Sequence, residues 1–255
     1  MFTFGVVALF PELVEPVTRY GVVGRARERG LIALEQMSPR DFTADRHRTV
    51  DDRPYGGGPG MVLKYEPLRD AIRALRERMP SGSAEFVLSA QGRPLDQRLA
   101  AELASRPGLL LVAGRYEGID ERIVVGEVRA ELSLGDYVLS GGEPAAAVVI
   151  DAVTRLLPGV LGHVDSSAED SYAAGLLDCP QYTRPEEADG MRVPEVLLTG
   201  DHGAVRRWRL KQALGRTWLR RPRLLEARVL GPEESELLEE FKRELAEAGP
   251  RNEIA

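Results

Sequence analysis

The chain has 255 residues, 43% of them hydrophobic and 29% charged. This is an ordinary globular composition, which excludes disorder along the whole length and allows one large domain or two modest ones. A single cysteine, Cys179, excludes an intrachain disulfide and argues against a cysteine zinc site, while the formal net charge of −6 argues, as an average, against a nucleic-acid binder.

In chain order, Phe2 to Phe10 (FTFGVVALF) reads as a buried strand. Pro11 to Thr18 then reads as a short helix opened by its proline. Leu31 to Met37 is a second strand. Ser38 to Met61 is polar and without period, and its glycine-rich centre marks a long loop of the kind that is usually functional or mobile. Pro67 to Arg78 is a helix, with Leu68, Ala71, Ile72 and Leu75 on one face. Glu85 to Ala90 is a strand, Asp96 to Ser105 a helix with Asp96 as N-cap, and Leu109 to Ala113 a buried strand. Ile119 to Val125 reads as a short helix, Glu127 to Leu134 and Tyr137 to Leu139 as extended, and Glu143 to Leu157 as an apolar helix. Strands alternating with helices predict an α/β domain on a mainly parallel sheet. Gly159 to Gly190 has little periodicity and reads as a linker or lid, with a domain boundary near residue 165. Asp201 to Leu219 and Pro232 to Ala248 are helices. The acidic stretch from Glu233 to Ala255 carries no functional reading from the sequence. No apolar run approaches the roughly 18 residues of a membrane span. Met1 to Phe4 lacks the basic start of a signal peptide, so a soluble cytoplasmic protein without membrane partners is expected.

Three strands run into glycine-bearing turns: Leu88 to Gly92, Ala113 to Gly118 and Leu139 to Glu143. In open parallel sheets, ligands bind beyond the carboxyl ends of the strands, where glycine lets the backbone come close. Any one such turn is commonplace, but three from one sheet can wrap a nucleoside. None matches the phosphate loop of nucleotide hydrolases or the dinucleotide fingerprint, which removes the warrant for ATP hydrolysis or for a nicotinamide oxidoreductase.

The charge is segregated. Arg206 to Arg223 holds eight basic residues and no acid, so the rest of the chain carries −6 − 8 = −14. Charge runs usually mark a solvated face. Eight cations without an acid would repel one another unless an anion neutralised them, as RNA phosphates do. Tyr55, Trp208 and Trp218 either stack on bases or fill the core, and core is the expectation for both tryptophans. His47, His163 and His202 are too scattered for a metal site, and His47 fits RNA better, between Arg46 and Arg48. Asp51 and Asp52 are where Mg²⁺ shared with RNA phosphates would be sought; no dedicated metal site is expected. Cys179 reads as a packed thiol.

Gly114 to Arg122 (GRYEGIDER), Gly135 to Glu143 (GDYVLSGGE) and Asp45 to Met61 (DRHRTVDDRPYGGGPGM) closely resemble the bacterial tRNA (guanine-N1)-methyltransferase family. So do Gly175 to Pro180 (GLLDCP) and Arg206 to Gln212 (RRWRLKQ). The resemblance runs from about residue 2 to 245. Two departures are Ala90, where the family usually has proline, and Pro144, displaced by one position; local adjustment near the cofactor is expected from them.

The resemblance implies a SPOUT-type α/β fold whose parallel sheet ends in a C-terminal trefoil knot, followed by a small mainly helical domain. It implies residues 1–163 as the methyltransferase domain, 164–180 as a flexible linker carrying the catalytic acid, and 181–255 as a tRNA-binding domain. It implies S-adenosyl-L-methionine in the knot, contacted by Leu88, Ser89, Gly114, Tyr116, Glu117, Leu134, Gly135, Tyr137, Leu139, Gly141 and Gly142. It also implies a homodimer with the active site at the interface. The substrate would be guanine 37 of tRNA, immediately 3′ of the anticodon, with the anticodon arm gripped by the C-terminal domain. Methylating guanine N1 requires removal of its proton and stabilisation of charge on O6. From the residues alone, an acid in a polar linker is usually solvated and an arginine near a helix end usually serves the helix dipole. The resemblance selects Asp170 as the base and Arg155 as the cation near O6. His47, Arg48, Arg206, Arg207 and Arg209 are the expected RNA contacts. The alternative is a non-catalytic RNA-binding module of the same fold, against which the presence of Asp170, Arg155 and all three turns argues.

Overall fold

The computed structural model describes residues 1–162 and 170–248. His163, the stretch 164–169 of the expected linker, and the tail beyond residue 248 lie outside the described residues. The chain divides into two compact units, Met1–Val164 and Asp165–Ala255.

The first unit is built on β1 (Phe2–Val7), followed by two 3₁₀ turns, Pro11–Leu13 and Glu15–Thr18. The sequence predicts one helix over those turns. Pro16 sits at the start of the second and has no N–H for an α-helical ladder, so the segment breaks into two. Next come α1 (Gly21–Glu28), β2 (Ile32–Met37), and the short pair β3 (Asp51–Asp52) and β4 (Val62–Leu63), which closes the glycine-rich loop antiparallel. Then follow α2 (Tyr65–Arg76), β5 (Ala84–Pro94), α3 (Gln97–Ala104), β6 (Gly108–Ala113), α4 (Glu121–Ile123), β7 (Glu131–Ser133) and α5 (Glu143–Thr154). As predicted, Asp96 caps α3, its Oδ1 accepting from the Leu99 N–H at 2.7 Å.

Five strands form a parallel sheet in the order β2-β1-β6-β5-β7. Every residue of β1 and β6 is buried, as central strands covered on both faces must be. Alternation divides them between two cores. Phe4, Val6, Leu109 and Leu111 pack with Val149, Ile150 and Val153 of α5. Val7, Leu110 and Val112 pack with Leu68, Ile72 and Leu75 of α2.

The carboxyl-side end of the sheet is irregular, and there the sequence reading is corrected in three places. First, β5 does not end in a simple turn. Leu88 and Arg93 both pair with Leu132, so residues 89–92 bulge out and the strand then resumes. Gly92 makes the return possible: a Cβ there would lie 2.3 Å from the Leu132 backbone nitrogen. Second, Val124–Val128 is a wide helical turn continuing α4, so of the extended stretch expected over 127–134 only β7 forms. Third, Tyr137–Leu139 is not a strand but part of an open turn.

The second unit holds the hairpin β8 (Glu187–Ala188) and β9 (Met191–Arg192), then α6 (His202–Arg220), α7 (Pro222–Glu226) and α8 (Pro232–Ala248). Asp201 caps α6, accepting from the Gly203 and Ala204 N–H groups at 2.9 and 3.0 Å. Its core is a leucine cluster of Leu176, Leu214, Leu237 and Leu238. Residues 176–179, expected in the linker, are fastened to this unit. Leu176 is buried, and the Leu177 N–H donates to Thr217 Oγ1 at 2.9 Å. Among the described residues no helix is long and apolar enough to cross a membrane.

Candidate active site

Above the carboxyl ends of β5, β6 and β7, the three glycine-bearing segments enclose one cavity of about 340 Å³. All eleven residues implied as cofactor contacts line it: Leu88 and Ser89 from the β5 bulge, Gly114, Tyr116 and Glu117 after β6, and Leu134, Gly135, Tyr137, Leu139, Gly141 and Gly142 after β7. The walls are mixed backbone and apolar surface. Tyr116 holds a left-handed backbone at φ 61°, which is costly for a side chain this large and is the kind of strain that collects at binding sites.

Backbone pairing fixes the turns to one another. Gly142 N–H donates to the Gly114 carbonyl at 2.8 Å, and Arg115 and Gly141 form an antiparallel bridge. The loop from β3 to β4 is tied on as well. Glu117 N–H donates to the Met61 carbonyl at 3.0 Å, and Leu63 N–H donates to the Gly118 carbonyl at 3.0 Å. Nearby, Arg122 bonds Asp120 and holds its carboxyl below the usual carboxylate range.

Beneath the third turn lies a pair that sequence reasoning missed. Glu143 opens α5 and is fully enclosed, at 0% exposure. Arg115 Nε stands 3.0 Å from each of its carboxylate oxygens, and the Phe10 N–H donates to Oε1 at 3.2 Å. The Arg115 guanidinium also lies over the Phe10 ring, 4.7 Å from its centroid. Gly141 crosses this pair so closely that a Cβ would sit 2.7 Å from Glu143 Oε2 and 2.8 Å from Arg115 Cζ. A signal was present: a glutamate at the head of an apolar helix needs a cation if it is buried. Ala90, Gln91, Val138 and Ser140 also line the cavity without having been singled out as contacts.

Arg155 is the C-cap of α5, its N–H donating to the Asp151 carbonyl at 3.2 Å. It is not among the lining residues. Asp170 belongs to the second unit, where its carbonyl accepts from the Ala173 N–H at 3.1 Å. Among the described residues no group of three or more His, Cys, Asp or Glu is placed to hold a metal.

The expected RNA contacts divide into two kinds. His47 is exposed in a turn held by Asp45, whose Oδ1 accepts from the His47 N–H at 2.9 Å. Arg206 and Arg209 are exposed and have no acidic partner among the described residues. Arg48 is already engaged, pairing with Asp41 and donating to the Arg40 carbonyl. Arg207 pairs with Glu236 at 3.0 Å and Glu240 at 3.3 Å, and Lys211 with Glu240 at 2.7 Å and Glu244 at 2.6 Å. This corrects the premise that no protein anion meets the basic run. The acids lie 29 to 33 residues further on, in α8, where linear charge counting does not pair them. Burial opposes charge on Lys211, but the two glutamates raise its ammonium above the usual range. The expectation for the tryptophans is corrected too. Trp218 is exposed with Lys242 over its ring, and Trp208 is half-buried outside the leucine core. Burial pushes the Cys179 thiol up, which suits a packed and unreactive side chain.

The family described as tRNA (Guanine-1)-methyltransferase TrmD matches residues 2–227. Among similar proteins, the tRNA (guanine-N(1)-)-methyltransferase of Sodalis glossinidius is 60% identical over 240 residues, covering 94% of this chain and 96% of its own. That of Methylococcus capsulatus is 61% identical over 241 residues, with the same coverage. That of Escherichia fergusonii is 59% identical over 243 residues, covering 95% of each chain.

Proposed function

The chain belongs to the tRNA (guanine-1)-methyltransferase family, and from that premise we propose that it transfers a methyl group from S-adenosylmethionine to N1 of guanine 37 in tRNA. The observation that carries this reading is the convergence of three separate turns, with all eleven expected contacts, on one cavity. Its volume lies at the lower end of the range for small-molecule sites. Gly141 and Gly142 line the cavity, and a Cβ on either would strike the protein beneath it, Arg115 and Glu143 in the first case and Ala113 in the second, so only glycine lets this turn lie so close.

When bound there, S-adenosylmethionine supplies a methyl group made electrophilic by its sulfonium. The rest of the chemistry belongs to the protein. Asp170 accepts the N1 proton, which frees the nitrogen lone pair for the new N–CH₃ bond. Arg155 donates to O6, where negative charge gathers as that proton leaves. The Arg115–Glu143 pair holds the third turn in shape.

A homodimer with a C-terminal trefoil knot, its active site at the interface, is part of the same proposal. Tyr116, Tyr137, Val138 and Leu139 at the cavity are all exposed in the single chain, Val138 at 92%, and a second copy would cover such an apolar rim. The RNA footprint on α6 is its outer stripe. At 3.6 residues per turn Arg206, Arg209, Arg216 and Arg220 align, while Arg207 and Lys211 turn toward α8.

The test is transfer of a labelled methyl group to a tRNA transcript. A transcript with guanosine at 37 preceded by guanosine incorporates label, and one with adenosine at 37 does not. Equal incorporation into both would overturn the assignment of the target base.

A further inference from the structure

Unit 2 contains a hollow of about 590 Å³ that the proposed chemistry does not use. Tyr182 and Trp208 both line it and form a tilted pair, ring centroids 6.3 Å apart and planes inclined at 52°. Neither ring belongs to the leucine core. Tyr182 is 50% exposed. Arg209 lines the same hollow and stands beside Trp208 on α6, on the outer stripe with Arg206. The acid of the wall, Glu186, has a partner in Arg192 at 2.8 Å. The hollow therefore offers aromatic faces and a cationic rim.

We propose that this hollow is a second nucleotide site, which takes one unstacked base of the substrate RNA against Tyr182 and Trp208 while Arg209 meets the adjoining phosphate. The proposal rests on the reading that RNA is the substrate. The chemistry fits one class of ligand. Single-stranded RNA is held by aromatic faces that stack on bases and by arginines that track the backbone. An acidic peptide would satisfy Arg209 but leave two ring faces without a matching plane.

The experiment uses the full-length Trp218→Phe protein, in which Trp208 is the one remaining tryptophan. Titrated with an unmodified tRNA transcript, its emission is expected to be quenched along the binding curve measured independently by filter retention. Tyr182→Ala in the same background weakens the tRNA Kd about tenfold, within the usual range for loss of one stacked base. Tyr182→Phe restores it, and the Kd for S-adenosylmethionine is unchanged in both. Emission unmoved at saturating tRNA, or a Tyr182→Ala protein that binds tRNA like its parent, overturns the site. Methyl transfer by the parent is scored separately. Transfer without quenching overturns the second site alone, quenching without transfer overturns the enzymatic reading alone, and failure to bind tRNA overturns both.

Discussion

Glu143 shows how single residues set this site. A carboxylate with no exposure is tolerated because Arg115 meets both of its oxygens and a backbone N–H adds a third bond. Glu143→Gln leaves the Arg115 charge nearly enclosed without its counter-ion, and the expected loss is about 3 kcal/mol of stability in denaturant titration. S-adenosylmethionine affinity should fall with it, since the turn carrying Gly141 rests on that pair. Unchanged stability would show that Arg115 has found another partner. Asp170 makes a separate prediction. Asp170→Asn should retain S-adenosylmethionine binding by calorimetry and lose roughly 10²- to 10⁴-fold in turnover; near-normal turnover would remove it as the base. The glycine turns were legible in the residues themselves, while the eleven contacts were implied by the resemblance of the long motifs that contain them, and the fold brings all eleven to one cavity. Arg115 and Glu143 stood inside those motifs, yet their pairing was not legible, since 28 residues separate them and only the fold brings them together.

At the scale of elements, periodicity served where packing is regular. It located α2, α3, α5, β6 and α8 within a few residues, because each buries a continuous stripe or run. It failed where the backbone bends to build the cavity, at the β5 bulge, the wide turn over Val124–Val128 and the open turn at Tyr137–Leu139. It also missed α1, whose two glycines and alternating arginines leave a weak pattern. The pairing of α6 with α8 gives a pH prediction. Lys211 bonds Glu240 and holds its carboxyl below the ordinary value of 4.5. A lowered carboxylate contributes stability that is fully present above that ordinary value and is lost as pH falls through the lowered one. Glu240→Gln should therefore cost about 1 kcal/mol at pH 7. Hydrogen exchange in His202–Arg220 would measure this as weaker protection, with variant and parent converging as pH falls through the lowered value. A cost that does not shrink at all as pH falls well below 4.5 would mean the glutamate acts through packing and not through its charge.

For the whole molecule, the net charge of −6 is an average over two populations, and α8 adds a division within the second unit that the sequence total hides. Its glutamates engage one side of α6 and leave Arg206 and Arg209 on the outer stripe without an acidic partner among the described residues. Replacing both of these by glutamine should reduce the slope of log K for tRNA against log salt by about 1.5 to 2. Arg207→Gln should change it far less, because that guanidinium already has acid partners. Equal slopes for all three proteins would place the RNA elsewhere. The central claim is the chemical one, that this chain methylates N1 of a specific guanine in tRNA. Its most direct test is to incubate the purified protein with S-adenosylmethionine and an unmodified tRNA transcript, then digest the RNA and identify its nucleosides by mass and retention. The account predicts N1-methylguanosine, confined to the fragment containing position 37. Product without N1-methylguanosine, or methyl groups on another atom of guanine, would contradict it.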